Sequence, residues 1–268
     1  MKVLVIGAGN MGLTYAESMS KSKLLKKRNL MILDSSHEKT TSLKKIAHFE
    51  VHENLEDCLP KADLVFIAVK PYHSEELFKK MRSLVNDGQI VISIMAGVTI
   101  KTMQDGLGIP KVVRAMPNLP AQIGKGVTSY TASDEVSRIE LLTIENLLDT
   151  TGRSILVSSE KFIDASTGIS GSGPAYVFYF MQSMMEAALK MGFSSNDSKV
   201  LVSKTFEGAV DLFNQSDLSP NSWMDRVASK GGTTRAALDS MEDNNVKELI
   251  KEAAYSAFNR AVELGKEK

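Results

Sequence analysis

The segment at residues 229–234, with the sequence SKGGTT, has the residue types needed to hold a small anion. It opens a run with helical spacing. Glycines let the backbone approach a ligand closely, and free N–H groups at a helix start attract anions such as carboxylates. The hydroxyl groups of Thr233 and Thr234 can donate or accept further hydrogen bonds. The segment therefore predicts a site for a small organic acid.

A second glycine-rich segment, GAGNMG, lies at residues 7–12. It follows an apolar run and opens a helical pattern, which is the context in which Gly-x-Gly-x-x-Gly binds a dinucleotide. Gly7 would make the tight turn, Gly9 would admit the pyrophosphate, and Gly12 would let the helix pack closely on the strand. The alternative is an ordinary strand-to-helix turn. The context favours a pyrophosphate site.

Asp34 lies 27 positions after Gly7, at the end of the next apolar run. A carboxylate there usually binds the ribose hydroxyls of the adenosine and repels a 2′-phosphate, which favours NAD. Ser35 and Ser36 could instead hydrogen-bond a phosphate. Asp34 could almost equally cap the helix predicted from Glu38. The choice between NAD and NADP stays open at this point.

Two further apolar runs end in residues that suit a cofactor. Lys70 and Pro71 end the third run, where Lys70 is either an anion contact or a solvated strand end. Met95, Ala96 and Gly97 end the fourth run. The small size of the last two would let a dinucleotide lie flat across the sheet edge, although simple strand termination explains them nearly as well.

The elements that must position these residues alternate along the first half of the chain. Continuous apolar runs, typical of strands buried on both faces, occupy 2–6, 30–33, 64–69, 90–94 and 112–116. Segments with helical spacing occupy 10–19, 38–47, 74–85 and 100–107. The alternation predicts an α/β fold with a Rossmann-type doubly wound sheet, whose ligands bind at the carboxyl ends of the strands. The domain is completed by predicted elements at 126–130 (strand), 134–148 (helix) and 154–157 (strand).

From Glu160 onward the strand signals stop. The predicted helices occupy 161–191, 197–215, 220–228, 233–242 and 245–266, with an interruption by the GSGP sequence at 171–174. The predicted domains are therefore a dinucleotide-binding domain at 1–158 and an all-helical domain at 159–268. Residues 176–185 are apolar almost all round, so we expect a second subunit to cover them.

The composition limits the partners and the location of the protein. Lys plus Arg equals Asp plus Glu at 32 each, which gives no electrostatic argument for nucleic acid or an anionic membrane. The longest apolar runs are well short of the roughly 20 residues that span a bilayer. A single cysteine, Cys58, and the lack of a secretory pattern favour the cytoplasm. The four histidines lack partners at metal-ligand spacing, so we predict no metal site.

Five blocks of sequence, taken in order, resemble the pyrroline-5-carboxylate reductase family over essentially the full length. They are GAGNMG (7–12), AVKP (68–71), RAMPN (114–118), GSGPAY (171–176) and SKGGTT (229–234). Many dehydrogenases share the first, whereas the last two are specific. The resemblance implies hydride transfer from NAD(P)H to the C=N bond of 1-pyrroline-5-carboxylate, giving L-proline. It also implies a homodimer formed through the C-terminal helices, with assembly into a higher oligomer left open.

The resemblance further implies roles for individual residues. The substrate carboxylate would be held by Ser229 and by the backbone of Gly232 and Thr233. Thr234 would be the catalytic residue, bonded to the ring nitrogen, with Glu160 nearby. Motifs and resemblance together give these cofactor contacts: Gly7, Gly9, Asn10, Met11, Gly12, Asp34, Ser35, Ser36, Ala68, Val69, Lys70, Pro71, Met95, Ala96, Gly97 and Asn118. Catalysis would depend mainly on orientation, because the cofactor carries the hydride chemistry.

Four positions depart from the usual family pattern. They are Lys230, where proline is common, Leu119 for threonine, Arg226 for asparagine, and Asp34 in the cofactor-selecting loop. These departures bear on substrate fine-tuning and on the choice of cofactor. The alternatives are a related NAD(P)-dependent imine or hydroxy-acid reductase, or a catalytically idle homologue that senses nucleotides. The intact glycines of both segments favour an enzyme.

Overall fold

The computed structural model describes residues 1–46 and 48–266. This part of the chain divides into two compact units. The first contains Met1–Ser172 and the chain from Ser256 onward, and the second contains Gly173–Tyr255. The chain therefore passes between the units twice.

The first unit is built on one eight-stranded sheet. The strands are β1 (Val3–Ile6), β2 (Leu30–Leu33), β3 (Glu50–His52), β4 (Leu64–Ile67), β5 (Ile90–Ser93), β6 (Val112–Met116), β7 (Gly126–Ala132) and β8 (Gly152–Leu156). Their spatial order is β3-β2-β1-β4-β5-β6-β7-β8, and all neighbours are parallel except β6 and β7. The order reverses at β1, between β2 and β4. Open α/β sheets bind ligands at such a switch point, beyond the carboxyl ends of the strands.

Helices accompany this sheet on both faces. They are α1 (Asn10–Lys21), α2 (His37–Ile46), α3 (Leu55–Cys58), α4 (Ser74–Met81), α5 (Ile100–Leu107), α6 (Arg138–Leu148) and α7 (Glu160–Ser166). Successive strand residues point to opposite faces, so Val3 and Val5 join one apolar cluster while Leu4 and Ile6 join another. Burial on both faces explains the continuous apolar runs and confirms the predicted doubly wound α/β sheet.

The observed elements differ from the predicted ones in a few short stretches. The sequence does not predict β3 or α3, because three or four residues are too few to show a period. The antiparallel pairing of β6 with β7 also has no sequence signal. α4 ends at Met81 rather than at residue 85, and the predicted end of α2 at Ala47 lies outside the described residues.

The helix predicted from residue 134 begins only at Arg138, because a capping box fixes its start. The Ser137 hydroxyl accepts a hydrogen bond from the Glu140 N–H, and the Glu140 carboxylate accepts one from the Ser137 N–H at 2.7 Å. These two reciprocal bonds satisfy N–H groups that a helix start leaves unpaired. Residues 134–137, which the sequence pattern assigns to the helix, are therefore not helical.

The second unit is helical, as predicted. Its helices are α8 (Gly173–Lys190), α9 (Ser195–Asn214), α10 (Pro220–Val227), α11 (Thr233–Asp243) and part of α12 (Val246–Lys266). α8 packs against α9, yet none of the described side chains of α8 is buried. Val177, Phe178 and Tyr179 are 44%, 58% and 74% exposed. One copy of the chain therefore leaves the apolar surface of 176–185 uncovered.

An irregular helical segment joins α7 to α8. Residues Thr167–Gly171 form a π-helical turn, and α8 starts at Gly173. Pro174 lies in the first turn of α8, where the missing N–H has no intrahelical partner to lose. The predicted interruption at 171–174 is thus confirmed. α7 packs on β6 and β7, so the compact units divide at Gly173, and the predicted domain boundary after residue 158 stays a prediction.

Candidate functional site

The glycine-rich turn joins β1 to α1, and the structure requires glycine at two of its three glycine positions, Gly7 and Gly12. Gly7 has a φ of +102°, and a Cβ there would lie 3.0 Å from the Ala68 carbonyl oxygen. A Cβ at Gly12 would overlap the Gly7 carbonyl oxygen, so helix and turn pack closely. At Gly9, the N-cap of α1, a Cβ would have no described atom within 4 Å. Open space therefore lies at a helix start, where a pyrophosphate would be attracted.

Asn10 and Met11 form the first turn of α1. Asn10 is exposed, and its carbonyl accepts a hydrogen bond from the Thr14 hydroxyl at 2.7 Å. Met11 is half-buried and packs against one of the apolar clusters. The first N–H groups of a helix have no acceptor within the helix. The backbone of these two residues is therefore what the turn can offer a phosphate.

Asp34 follows β2 and is held by the backbone on two sides. Its Oδ2 accepts a hydrogen bond from the Ala8 N–H at 2.8 Å, and its Oδ1 accepts one from the Ser36 N–H at 2.9 Å. The side chain is only 10% exposed. The carboxylate thus ties the turn before α2 to the glycine-rich turn, beside the place expected for the cofactor.

Ser36, rather than Asp34, caps α2. The Ser36 carbonyl accepts a hydrogen bond from the Thr40 N–H at 3.0 Å, and its hydroxyl accepts one from the Lys39 N–H at 3.4 Å. The alternative role of Asp34 as the helix cap is therefore wrong. Ser35 is exposed between them, so its hydroxyl faces solvent.

The end of β4 lies beside the glycine-rich turn. The Ala68 N–H donates to the Ile6 carbonyl at 2.8 Å, which extends the pairing of β4 with β1 past the strand. Val69 is half-buried, and Lys70 is exposed just before the short 3₁₀ helix Pro71–His73. An exposed lysine at this edge suits either an anion contact or solvent, so the cofactor role of Lys70 stays a prediction.

The residues after β5 are shaped partly by the last helix. Met95 is buried in an apolar cluster and its N–H donates to the Ser93 hydroxyl at 3.2 Å, which leaves its carbonyl rather than its side chain for a cofactor. Gly97 has a φ of +72°, and a Cβ there would lie 3.0 Å from the Leu264 carbonyl oxygen of α12. Close approach of two backbones therefore explains the glycine, while half-buried Ala96 keeps some surface for a ligand.

Asn118 lies just beyond β6. Its Oδ1 accepts a hydrogen bond from the Val127 N–H at 2.9 Å, so its amide nitrogen is the group left for a cofactor. Leu119 begins the 3₁₀ helix Leu119–Ile123 with an exposed side chain. Nothing in the structure explains leucine at this position.

Arg114 is a buried cation in the middle of β6, and it is not among the site residues predicted from the sequence. Its side chain is 3% exposed, and its guanidinium lies 2.5 Å from an Asp164 oxygen and 3.2 Å from Glu160 Oε1. The same Glu160 oxygen accepts a hydrogen bond from the Ile100 N–H at 2.9 Å. The network fixes Glu160, at the start of α7, to both β6 and α5. A charge inside an apolar strand is the signal that points to it, because a buried guanidinium requires partners.

In the helical unit, residues 229–234 form the predicted turn and helix start. Gly231 has a φ of +71°, and Gly232 is the N-cap of α11. The Gly232 N–H donates to the Ser229 carbonyl at 3.0 Å, and a Cβ at Gly232 would overlap the Ser229 hydroxyl oxygen. No side chain caps the first turn of α11, which begins at Thr233. Its first N–H groups, those of Thr233 and Thr234, are therefore available to an anion.

Two departures from the family pattern lie close to this turn in sequence. The Arg226 guanidinium lies 5.3 Å from the centre of the Trp223 ring, within the range of a cation–π interaction. The tryptophan therefore helps to hold a positive charge at the end of α10. Lys230 is exposed, and nothing in the structure explains lysine at that position.

Other candidate groups stay outside these sites. Burial raises the pKa of the Cys58 thiol to about 11, and the thiol donates to the Asn54 carbonyl at 3.4 Å. Cys58 is thus a buried small group rather than an activated nucleophile. Within 1–46 and 48–266, no group of three or more His, Cys, Asp or Glu residues could hold a metal ion. In the same residues, no helix has the length and apolar character to cross a membrane.

Comparison with known proteins gives matches over nearly the whole chain. Residues 160–264 match a family model described as pyrroline-5-carboxylate reductase dimerisation. Residues 2–97 match one described as NADP oxidoreductase, coenzyme F420-dependent. A Bacillus subtilis protein named pyrroline-5-carboxylate reductase 2 is 32% identical over 98% of this chain and 95% of its own length.

Solved structures agree with these sequence matches. A pyrroline-5-carboxylate reductase from Coxiella burnetii has a TM-score of 0.92 and 29% identity, covering 98% of each chain. The Plasmodium falciparum pyrroline carboxylate reductase, solved with NADP bound, has a TM-score of 0.89 and 28% identity, covering 99% of this chain and 98% of its own. From the relative that is 32% identical over 95% of its own length, and from this agreement in structure, we conclude that the chain belongs to the pyrroline-5-carboxylate reductase family.

Proposed function

We propose that this protein reduces 1-pyrroline-5-carboxylate to L-proline with NAD(P)H, as a step of proline biosynthesis. The observation that carries the proposal is the pair of uncapped helix starts, at Gly9 and at Gly232. Each presents backbone N–H groups that suit an anion. The cofactor pyrophosphate and the substrate carboxylate are the two anions that this reaction requires the protein to hold.

The first helix start fits the cofactor. A Cβ at Gly9 would meet open space, and Gly7 makes the turn before it with a positive φ that glycine adopts without strain. Asp34 would bind the adenosine ribose, and the amide nitrogen of Asn118 would add a further contact. When bound, NAD(P)H supplies the hydride for C5 of the imine. The protein's part is to bind the cofactor in one orientation and to exclude others.

The second helix start would hold the substrate. Ser229, with the backbone of Gly232 and Thr233, would bind the carboxylate. The Thr234 hydroxyl would hydrogen-bond the ring nitrogen, which must carry a proton for C5 to accept a hydride. Fixing a small ring at two points orients its C5, and such orientation lowers the barrier by removing the entropy of alignment. No strong general base is required.

Glu160 is proposed as an additional substrate contact. Its Oε1 is already bonded to Arg114 and to the Ile100 backbone, which leaves Oε2 as the atom for a ligand. The guanidinium and the Ile100 N–H together hold this carboxylate in one place. Glu160 would therefore offer a substrate a fixed hydrogen-bond acceptor at Oε2.

We also propose that the protein is a cytoplasmic homodimer. The uncovered apolar side chains of α8, Phe178 and Tyr179 among them, give the helical domain at 159–268 a surface that a second copy would bury. Light scattering coupled to size-exclusion chromatography measures the assembly. A dimer or a multiple of two is expected, and a monomer at micromolar concentration would contradict the proposal.

The activity is tested by the oxidation of NADH and NADPH in the presence of 1-pyrroline-5-carboxylate. Thr234→Ala should lower kcat/KM about 10- to 150-fold, the range expected for a hydrogen bond to a charged group, while NAD⁺ and NADP⁺ still bind. Thr234→Ser should retain most of the activity, since it keeps the hydroxyl. Thr205→Ala, which changes an exposed threonine of α9, is the matched control.

Two results would reject the assignment. The absence of turnover with either cofactor, under conditions where both bind, would favour an idle nucleotide-sensing homologue. Equal activity toward other cyclic imines or hydroxy acids, unaffected by Thr234→Ala, would favour a different reductase on the same fold.

A further inference from the structure

The turn after β2 carries a cation beside Asp34. Lys39, in the first turn of α2, has its Nζ 3.6 Å from Asp34 Oδ2. That separation is an ion pair rather than a direct hydrogen bond. The lysine side chain is 55% exposed while the carboxylate is 10% exposed. The carboxylate is therefore fixed, and the ammonium group is free to turn away from it.

Two neighbouring basic side chains of α2 contact a different carboxylate. His37 Nδ1 lies 3.0 Å from Glu53 Oε2, and Lys44 Nζ lies 2.8 Å from Glu53 Oε1. Both side chains therefore pair with Glu53, the residue after β3, rather than with Asp34. Glu38, the remaining charged residue of the first turn, is exposed. Lys39 thus pairs with Asp34, whose carboxylate is bonded to the glycine-rich turn.

We propose that Asp34 and Lys39 together determine the choice between NADH and NADPH. The fixed Asp34 carboxylate accepts hydrogen bonds from the ribose hydroxyls of NADH and repels the 2′-phosphate of NADPH. Lys39 weakens that repulsion, because it can leave Asp34 and bind the 2′-phosphate. The protein therefore prefers NADH but retains use of NADPH, and Lys39 sets how large the preference is.

The inference depends on the proposed function only in taking a nicotinamide dinucleotide as the ligand. It does not depend on which imine is reduced. Binding of NAD⁺ and NADP⁺ without substrate can therefore test it separately. If the variants show the predicted ratios of NAD⁺ to NADP⁺ affinity but the protein does not reduce the imine, the proposed function alone is overturned. If the protein reduces the imine but the variants leave the affinity ratios unchanged, this inference alone is overturned.

The experiment measures the Kd of NAD⁺ and of NADP⁺ by isothermal titration calorimetry for a set of variants. Wild-type protein should bind NAD⁺ more tightly. Lys39→Ala should weaken NADP⁺ about tenfold and change NAD⁺ less than about threefold, since an exposed charge acts mainly on the ligand that carries the extra phosphate. Lys44→Ala is the matched control, a lysine of the same helix bonded to Glu53, and should leave the ratio unchanged.

Removal of the carboxylate gives the second half of the test. Asp34→Ala should shift the ratio of the two affinities toward NADP⁺ by about tenfold or more. The double variant Asp34→Ala with Lys39→Ala should bind NADP⁺ about tenfold more weakly than Asp34→Ala alone. Asp34→Asn keeps an acceptor for the Ala8 or Ser36 N–H and serves if the alanine variant does not fold. Tighter binding of NADP⁺ by the wild type, or a ratio that Lys39→Ala leaves unchanged, would overturn the proposal.

Discussion

Replacing Arg114 by methionine should lower the free energy of unfolding of the sheet unit by more than the loss of an exposed ion pair would. The guanidinium is 3% exposed and contacts both Asp164 and Glu160. Methionine fills most of the volume but leaves two carboxylates facing an apolar strand without a cation. Removing one member of a buried charge pair typically costs about 3–5 kcal/mol. Because Glu160 and Asp164 retain some contact with solvent, we expect the lower end of that range, about 3 kcal/mol.

Urea unfolding at one protein concentration measures this loss. With a slope of about 3 kcal/mol per molar urea, the midpoint should fall by about 1 M. Lys111→Met is the matched control, since it breaks a half-exposed pair with Glu140 at 2.6 Å and should cost under about 1 kcal/mol. Adding Asp164→Asn to Arg114→Met should recover part of the loss. Equal midpoints for the Arg114 and Lys111 variants would refute the account of a buried, mutually dependent network.

Two further predictions concern glycine and cysteine positions. Gly97→Ala should destabilise the protein by about 1–2 kcal/mol in thermal or urea unfolding, because Gly97 has a positive φ and lies close to the Leu264 carbonyl. The control is Gly208→Ala in the exposed middle of α9, which should be neutral or stabilising. A Gly97→Ala variant as stable as wild type would contradict the close approach of α12. Cys58, with its pKa raised to about 11, should be only about 0.1% thiolate at pH 8 and should therefore react slowly with iodoacetamide. The rate should rise about tenfold with each pH unit until the pH reaches that pKa. Rapid labelling of folded protein at pH 8 would show that the thiol is accessible and ionised.

The central strands of the sheet could be predicted because burial on both faces leaves a local mark. β1, β2, β4, β5 and the apolar part of β6 each form a continuous apolar run. β3 lies at the edge of the sheet and has only three residues, none of them buried, so it leaves no comparable run. The start of α6 could have been found from Ser137 and Glu140, because their spacing is that of a capping box.

The glycine positions of the site were predictable for a related reason. A positive φ or a backbone contact, as at Gly7 and Gly12, restricts the residue type at that position itself. The contacts of Asp34 and Arg114 are different, since their partners Ala8 and Asp164 lie 26 and 50 positions away. Such contacts depend on how the whole chain folds. The sequence shows only that a charge stands where apolar residues surround it.

The contact between Gly97 and the carbonyl of Leu264 limits how this protein can be divided for study. The chain leaves the sheet unit after Ser172 and returns to it at Ser256, so a fragment that stops at Ser172 would lack the helix segment covering the turn after β5. Such a fragment would expose the Ala96–Gly97 edge where the cofactor is expected. A version of the sheet unit made for separate study therefore has to keep the chain from Ser256 onward together with residues 1–172.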